Sequence, residues 1–580
     1  MLSLASVMIA VESSVVEVLG TEVGRPREFR VAGSALASAT VIMLAVLTLR
    51  DRPPLAAVPR LLTRVWRDPP GAWVSFVLGV VVSVPVLALF SPLLGGDSDS
   101  ARLLASVRYV QREGLGYLVD TQEPYLPPLL LTPVLAVGGL AGAKLVAILL
   151  VQVLAGTTSF VVHVLSRSMW GAAAAAVSLL CVSGVLGRAV RLPMYALMLA
   201  LGYLGAWLAY RAMRAQVRPW RAAVPAGICL ALAQEAHPVG QLFLAVPAIL
   251  VILAPDLRAG LRTMTRLYVV VALAMIPRIV INLWEGGLSF VTIPRTDYWI
   301  TKGYVTELQT NFLTYDGINE GLGEFLVNFP ARFDNALGSQ GWLIILLACA
   351  SVLVCCRGRR RAFVLACFGF LLLALTVKRV PSFSRYYAPF WPGLAMLVGL
   401  LVAALQRRRR LPARVAAVAV TAGLVVAAVA TLRQAAEASD RSQALIESGP
   451  AQRFAAAMDD GRGVIGARAH QFFLSVTPDV PTWGDQFLTE EEYVTYLTWP
   501  STDAVLEVLE AHDIGWVYIS WARHLETEYN NTWLLPHYGR PSRHIAQIAN
   551  NPSFCRWLAE GGNVLFRVGP CPAPEPGGGG

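Results

Sequence analysis

The sequence predicts a polytopic α-helical membrane protein with about 11–13 transmembrane helices and a smaller α/β domain at its C-terminus. Three observations carry that prediction. Of 580 residues, 55% are hydrophobic and only 15% charged, and apolar stretches repeatedly approach the ~20 residues that cross a hydrocarbon core. The arginines gather in short clusters between those stretches. After the last stretch the composition turns polar and helical and strand patterns alternate, as in a small α/β domain.

Lys and Arg outnumber Asp and Glu by 48 to 38. A basic chain can bind nucleic acid, but here the charge forms no continuous face and instead punctuates the apolar runs, as topology signals do. With every cluster on the cytoplasmic side, the spans fall at 72–94, 145–165, 171–186, 192–210, 222–233, 239–253, 267–283, 342–354, 362–377, 388–405 and 415–432. A further span at 31–49 follows Arg25, Arg27 and Arg30, which it would turn outward against the charge rule. Residues 1–20 carry Glu12 and Glu17 and lack the basic start of a cleaved signal peptide, so they are expected in the mature chain.

Domain boundaries follow from these runs. Residues 1–71 form an N-terminal segment with the extra span, and 72–432 form the membrane domain with outer loops at 95–139 and 284–340. Residues 433–571 form the extracytoplasmic α/β domain, and the Pro- and Gly-rich 572–580 a disordered tail. In the first outer loop, Pro127-Pro128 opens an apolar helix at 129–136 that is too short to cross. The second loop, rich in Thr, Tyr, Asn and Gly, has the length of a functional lid. In the C-terminal domain a helix is expected at 503–512 and strands at 516–520 and 563–568. Of eight cysteines only Cys555 and Cys571 lie in the exported tail, so this pair is expected to form a disulfide, tying the last strand to the preceding helix. No spacing motif for zinc is present.

The topology sorts the polar residues at span ends. Asp97 and Asp99 leave the membrane together in Gly-Gly-Asp-Ser-Asp-Ser, at the mouth of the first outer loop. On the same side fall Glu123, Tyr125, Arg188, Arg191, Gln234, Glu235, His237, Arg278, Asn282, Lys378, Arg379, Arg385, Tyr386 and Tyr387. Arg278 and Asn282, four apart, share a helix face. Ionisable groups at membrane depth are costly and are retained for a function or a partner. Taken singly each has a plainer use: an arginine can snorkel to headgroups, His237 before a proline can make a turn, and Tyr386 suits an interfacial belt.

Five segments taken in order resemble the GT-C superfamily of integral-membrane glycosyltransferases, within it the protein mannosyltransferase and lipid A aminoarabinose transferase branch. They are Gly-Gly-Asp-Ser-Asp-Ser, Glu-Pro-Tyr-Leu-Pro-Pro-Leu-Leu-Leu from Glu123, Gly187-Arg-Ala-Val-Arg-Leu-Pro-Met, Pro277-Arg-Ile-Val-Ile-Asn-Leu-Trp-Glu-Gly and Ser384-Arg-Tyr-Tyr-Ala-Pro-Phe-Trp-Pro. The resemblance runs from about Ala72 to the C-terminus. This chain departs from the family where an adjacent acid pair becomes Asp97-Ser98-Asp99, where the Glu123 region replaces a Lys before Pro-Pro-Leu, and where Glu235-Ala-His237-Pro replaces another Lys. Those departures bear on which cation holds phosphate and which sugar is read.

The resemblance implies a polyprenyl-phosphate sugar donor presented outside the cell, with an envelope glycan, glycolipid or protein as acceptor and no nucleotide loop. It implies a single displacement. Asp97 is the candidate base, with Asp99 as helper, orienting residue or metal ligand, and the two can exchange roles. Arg385 and Arg188, then Arg191, Arg278 and Lys378, are candidates for the donor phosphate, because a guanidinium fork grips two phosphate oxygens. Glu123, Tyr125, Glu235, His237, Asn282 and Tyr386 would shape the pocket. No cofactor is implied with certainty, and a divalent cation at the acids stays open. Two other functions fit the same outline: a transporter or flippase of lipid-linked sugars, which calls for broken helices near the midplane, and a polymerase or ligase using lipid pyrophosphate glycans. Richness in Ala, Val, Arg and Gly with little Lys suggests a GC-rich actinobacterium, where arabinosyltransferases and mannosyltransferases of this kind build the cell wall.

Overall fold

The computed structural model describes residues 71–89, 125–181, 193–214, 220–251, 256–278, 340–352, 391–408, 410–448, 450–458, 460–466, 482–483, 499–520, 546–560 and 562–571, with single residues between them. The chain divides into two compact units, Met1–Pro92, Glu113–Thr292 and Asn311–Ala438 forming one, and Leu93–Arg112, Ile293–Thr310 and Ser439–Gly580 the other. The expected spans at 31–49 and 362–377 and the tail after 571 lie outside the described residues.

The first unit is helical. Its elements are α1 (Ala72–Val82), a 3-10 turn (Val84–Leu89), α2 (Leu126–Ser166), α3 (Met169–Leu179), α4 (Pro193–Arg214) and α5 (Trp220–Ala236). A 3-10 segment (Pro238–Ala245), α6 (Val246–Leu250) and α7 (Leu257–Ala274) follow, then α8 (Gln340–Val352), α9 (Trp391–Arg407) and α10 (Leu411–Ser448), of which the part up to Ala438 belongs to this unit. Among the described residues, Ala141–Ser166, Met194–Arg214 and Leu411–Glu437 are long and apolar enough to cross a membrane, and six shorter apolar helices accompany them.

Of two sequence expectations in this unit, one holds and one changes. The short apolar helix expected at 129–136 is present as Leu126–Gly139, and a break in helical geometry at Gly139 (φ 56, ψ −156) divides it from the membrane-length helix Ala141–Ser166, so that α2 is a kinked pair of helices. Glycine takes that positive φ at little steric cost, so the helix kinks where another residue would be strained. The span expected at 239–253 is instead a 3-10 segment followed by a single helical turn and a half. Pro238 and Pro247 remove backbone donors at both starts, and at about 2.0 Å per residue the 3-10 winding carries eight residues about 16 Å, farther than an α-helix would.

Helix ends inside this unit are satisfied by side chains. Ser168 caps α3, its Oγ accepting from Gly171 N, and the same hydroxyl donates to Gln406 Oε1 at 2.9 Å. At the other end of α3, Trp391 Nε1 donates to Leu179 O and Thr431 Oγ1 to Cys181 O. The eleven residues of α3 reach only about 16 Å at 1.5 Å per residue, so those terminal carbonyls end within the protein and need such donors. Helices α3 and α9 touch backbone to backbone: a Cβ on Gly171 would stand 2.7 Å from Gly399 O, and one on Gly399 2.5 Å from Gly171 O.

The second unit holds a five-stranded sheet in the order β2-β1-β3-β5-β4, built from β1 (Gly463–Ile465), β2 (Thr482–Trp483), β3 (Ile514–Ser520), β4 (Phe554–Glu560) and β5 (Asn563–Val568). β1 pairs in parallel with β2 and β3, whereas β3, β5 and β4 are antiparallel. Helix α11 (Pro450–Ala457) packs Phe454 and Ala455, with Met458 beyond its end, onto Val464, Trp516, Tyr518 and Leu565. Arg453 of α11 also donates to Glu560 at the end of β4, and that bond holds the Glu560 carboxyl below its ordinary range. The helix expected at 503–512 is α12 (Thr502–Ala511), capped by Ser501, and two expected strands are β3 and β5. β4 was not expected. Cys555 and Cys571 form a disulfide, but its partners are β4 and the segment after β5, not a helix. That geometry follows from β4 and β5 forming a hairpin, with Gly569 N donating to Ser553 O as the chain turns back across the start of β4.

Candidate functional site

Helices α5 and α7 run side by side in the same direction, which three contacts fix. At the start of α5 the guanidinium of Arg266, from the middle of α7, lies over the Trp220 ring, 5.5 Å from its centroid. Midway, Gly227 lets α7 approach: a Cβ there would meet Val270 at 2.7 Å and Leu267 O at 3.1 Å. Beyond the far end of α7, Arg278 reaches Glu235 in the last turn of α5. From Trp220 to Glu235 the helical rise gives about 22 Å, about three quarters of a hydrocarbon core about 30 Å thick.

The far end is a buried cluster of ionic and aromatic groups. Arg278 and Glu235 are 0% and 1% exposed. Arg278 Nε donates to both Glu235 oxygens at 3.2 Å, and Nη2 donates to Oε2 at 2.8 Å. The same guanidinium stands 5.4 Å from the ring centroid of Tyr125, which precedes α2. Pro127 and Pro128 have no N–H to satisfy, so this helix start can be buried beside a cation without a capping side chain.

His237 continues the cluster. It caps the 3-10 segment, Nδ1 accepting from Val239 N at 3.2 Å, which puts the proton of a neutral ring on Nε2. Its ring lies 4.4 Å from that of Tyr195, near the start of α4. The turn at 237 is held tightly because Gly240 sits against the end of α5, where a Cβ would stand 2.1 Å from Ala233 O. One residue type at 240 therefore sets how Glu235 and His237 are presented.

A third helix start is tied to the same body. Tyr203 of α4 donates its hydroxyl proton to Pro389 O at 2.7 Å and accepts from Gly393 N at 2.9 Å. This hydroxyl satisfies one of the four orphan N–H groups of α9 and anchors the chain just after the Ser384-Arg385-Tyr386 motif.

The structure thus brings Tyr125, Glu235 and Arg278 into contact, with His237 two residues from Glu235. Asp97, Asp99, Glu123, Arg188, Arg191, Asn282, Lys378, Arg385 and Tyr386 lie outside the described residues. Among the described residues no three His, Cys, Asp or Glu side chains stand close enough to hold a metal. Helical spacing predicts Arg278 beside Asn282 and does not single out Tyr195 or Tyr203. The sequence signal for these tyrosines is their place within about three helical turns after the Arg188–Pro193 segment.

The energetics of the ion pair bear on its use. At an effective dielectric near 20 the Coulomb attraction is about 4 kcal/mol, and removing two charges from water costs several kcal/mol each. A hydrophobic pair of the same volume would serve stability as well. Stability alone therefore does not account for an ion pair buried in an apolar body.

No protein-family model and no curated protein sequence matches the chain. Similarity appears in structure. ArnT from Cupriavidus metallidurans, crystallised bound to undecaprenyl phosphate, superposes with a TM-score of 0.57 at 13% identity, covering 86% of this chain and 98% of that one. An oligosaccharyltransferase from Archaeoglobus fulgidus in its apo form gives 0.49 at 13% identity, over 81% and 72% of the two chains. The arabinofuranosyltransferase AftD from mycobacteria gives 0.44 at 15% identity, over 87% of this chain and 40% of that one.

Proposed function

We propose that this chain, which has the GT-C fold, is a membrane glycosyltransferase that moves a single sugar from a polyprenyl-phosphate donor to a hydroxyl of a cell-envelope acceptor. The observation that carries the reading is the buried Arg278–Glu235–Tyr125 cluster at the end of α5 and α7 remote from Arg258, Arg262 and Arg266. A chain with the fold of a protein seen with undecaprenyl phosphate carries there a fixed cation and aromatic faces, the groups that a lipid phosphate and a sugar call for.

In this proposal the acceptor oxygen attacks the anomeric carbon, the bond from that carbon to the phosphate oxygen breaks, and the lipid phosphate leaves with the electron pair. The acceptor proton passes to Asp97, which Asp99 assists or replaces. Charge grows on the departing phosphate, so a preorganised cation contributes most there. Arg385 and Arg188 are the first candidates for that contact, with Arg191, Lys378 and Arg278 beside them. Glu235 is a positioning residue: by accepting from two nitrogens of Arg278 it fixes the plane of the fork. Under the charge rule the arginine clusters are cytoplasmic, which puts the reaction and the C-terminal unit outside the cell.

The test is transfer by the purified protein in lipid nanodiscs, supplied with prenyl-phosphate monosaccharides in one series and lipid pyrophosphate oligosaccharides in another. Monosaccharide transfer that disappears in Asp97→Asn, with expression and donor binding unchanged, is the expected result. Transfer of whole oligosaccharides from pyrophosphate would identify a ligase or polymerase. Movement of the lipid across the bilayer without transfer would identify a flippase.

A further inference from the structure

The arginine-bearing end of α7 is built differently from the rest of that helix. One side of α7, Gly260, Thr263, Leu267, Val270, Val271 and Ala274, is buried. On the opposite side Arg258 and Arg262 are exposed and Arg266 is half-buried. At four-residue spacing these three fall on one stripe. Farther along the same exposed side the character reverses: Val269 and Leu273 are 45% and 44% exposed, and Ala272 is exposed between them. Thr265, at the change, turns its hydroxyl inward to Leu261 O at 3.0 Å, which leaves no polar donor on the apolar stretch.

This sequence of surfaces matches one occupant. Cationic groups over two turns, about 12 Å of helix, followed by an apolar stretch, reproduce the order of headgroup and acyl chain in one leaflet. At the boundary stands Trp220, 45% exposed, with Arg266 over its ring, the position an aromatic takes at a membrane interface. The acid that precedes this helix in the chain, Asp256, accepts from Arg258 N and Ala259 N as its N-cap. A second cation is held in the same manner at the end of α4, where Arg214 Nη1 donates to the Tyr210 hydroxyl at 3.1 Å.

We infer that Arg258, Arg262, Arg266 and Trp220 form a binding site for an anionic phospholipid of the leaflet on the arginine side of the membrane. The headgroup phosphate meets the arginine stripe and one acyl chain lies along Val269 and Leu273. Arg266 is the specific member, because its stacking on Trp220 fixes the guanidinium before lipid arrives and reduces the ordering cost of binding. The inference is independent of the transferase reading and holds whichever sugar the protein handles.

Native mass spectrometry of the full chain, purified in a neutral detergent and titrated with phosphatidylglycerol or phosphatidylcholine, tests this. Wild type is expected to retain phosphatidylglycerol preferentially and to melt at a higher temperature in its presence. With roughly one basic-residue contribution lost per site, the triple variant Arg258→Gln, Arg262→Gln, Arg266→Gln should bind it about a hundredfold more weakly. Arg266→Gln alone should account for a larger share than Arg258→Gln. Equal retention of the two lipids by wild type would overturn the site, and so would undiminished phosphatidylglycerol binding by the triple variant. The wild-type comparison decides the matter even if the triple variant fails to fold.

Discussion

Arg278 and Glu235 stand 43 residues apart in the chain and meet in a two-pronged ion pair from which water is excluded. The pair joins the last turn of α5 to the segment following α7, so it closes the two parallel helices at the end opposite the Arg266–Trp220 contact. Breaking it from either side strands a charge. Glu235→Ala or Arg278→Ala should therefore destabilise the membrane unit by about 3–5 kcal/mol, whereas Glu235→Leu combined with Arg278→Met should recover most of that loss. Thermal unfolding in detergent measures both. A well-folded double variant that also keeps full transfer would show that the pair has no part in the reaction.

Tyr203→Phe removes a single oxygen and leaves two backbone groups without their partner, Pro389 O and Gly393 N. A cost of about 1–3 kcal/mol is expected for such buried groups. The turn freed by the change immediately follows Arg385 and Tyr386 in the chain, so donor KM should rise more than kcat falls. An unchanged KM would separate this anchor from the phosphate contact proposed for Arg385.

The sequence made the helices legible where an apolar run was long and uninterrupted, as in α4 and α10, since periodic or continuous hydrophobicity is the strongest local signal. It misled at 238–250 because two prolines and a close-packed glycine convert an apolar run into a 3-10 path, and hydropathy does not register winding. It read the break at Gly139 correctly, since the Gly-Gly pair there interrupts the apolar run between a short helix and a membrane-length one. In the second unit β3 and β5 were legible from their β-branched and aromatic content. β4, Phe-Cys-Arg-Trp-Leu-Ala-Glu, was not, because its burial comes from pairing with β5 and not from alternation. β1 and β2 have three and two residues, too few for any period.

The site was legible as a set of residues and not as a set of contacts. Glu235, Arg278, Tyr125 and His237 were each singled out by their place at span ends, but the choice of Glu235 as partner for Arg278 depends on α5 and α7 running parallel, which no local pattern encodes. The acids at 97 and 99 and the cation at 385 keep their assignments from sequence and resemblance alone.

The meeting of α3 and α9 predicts a sharp contrast among glycines. Gly171→Val or Gly399→Val would drive a side chain into a backbone carbonyl of the facing helix and should prevent the pair from closing, with loss of folded protein in fluorescence-detected size exclusion. Gly423 on α10 has open space where its Cβ would be. Gly423→Ala should be neutral or stabilising by up to about 1 kcal/mol, since alanine is the better helix former.

The Cys555–Cys571 disulfide, 16 residues apart, yields the last prediction, which concerns both stability and sidedness. A loop of that size is stabilised by about 3 kcal/mol relative to the reduced chain, so Cys555→Ser with Cys571→Ser should lower the melting temperature of the second unit and expose the β4–β5 hairpin to protease. The bond also persists only in an oxidising compartment. In a background with the other cysteines replaced, a membrane-impermeant maleimide added to intact cells should label the chain only after treatment with an impermeant reductant. Labelling without reductant would mean that the thiols are free in the cell. Protection that persists through reduction and is lost only on lysis would put the C-terminal unit, and with it the proposed topology, on the cytoplasmic side.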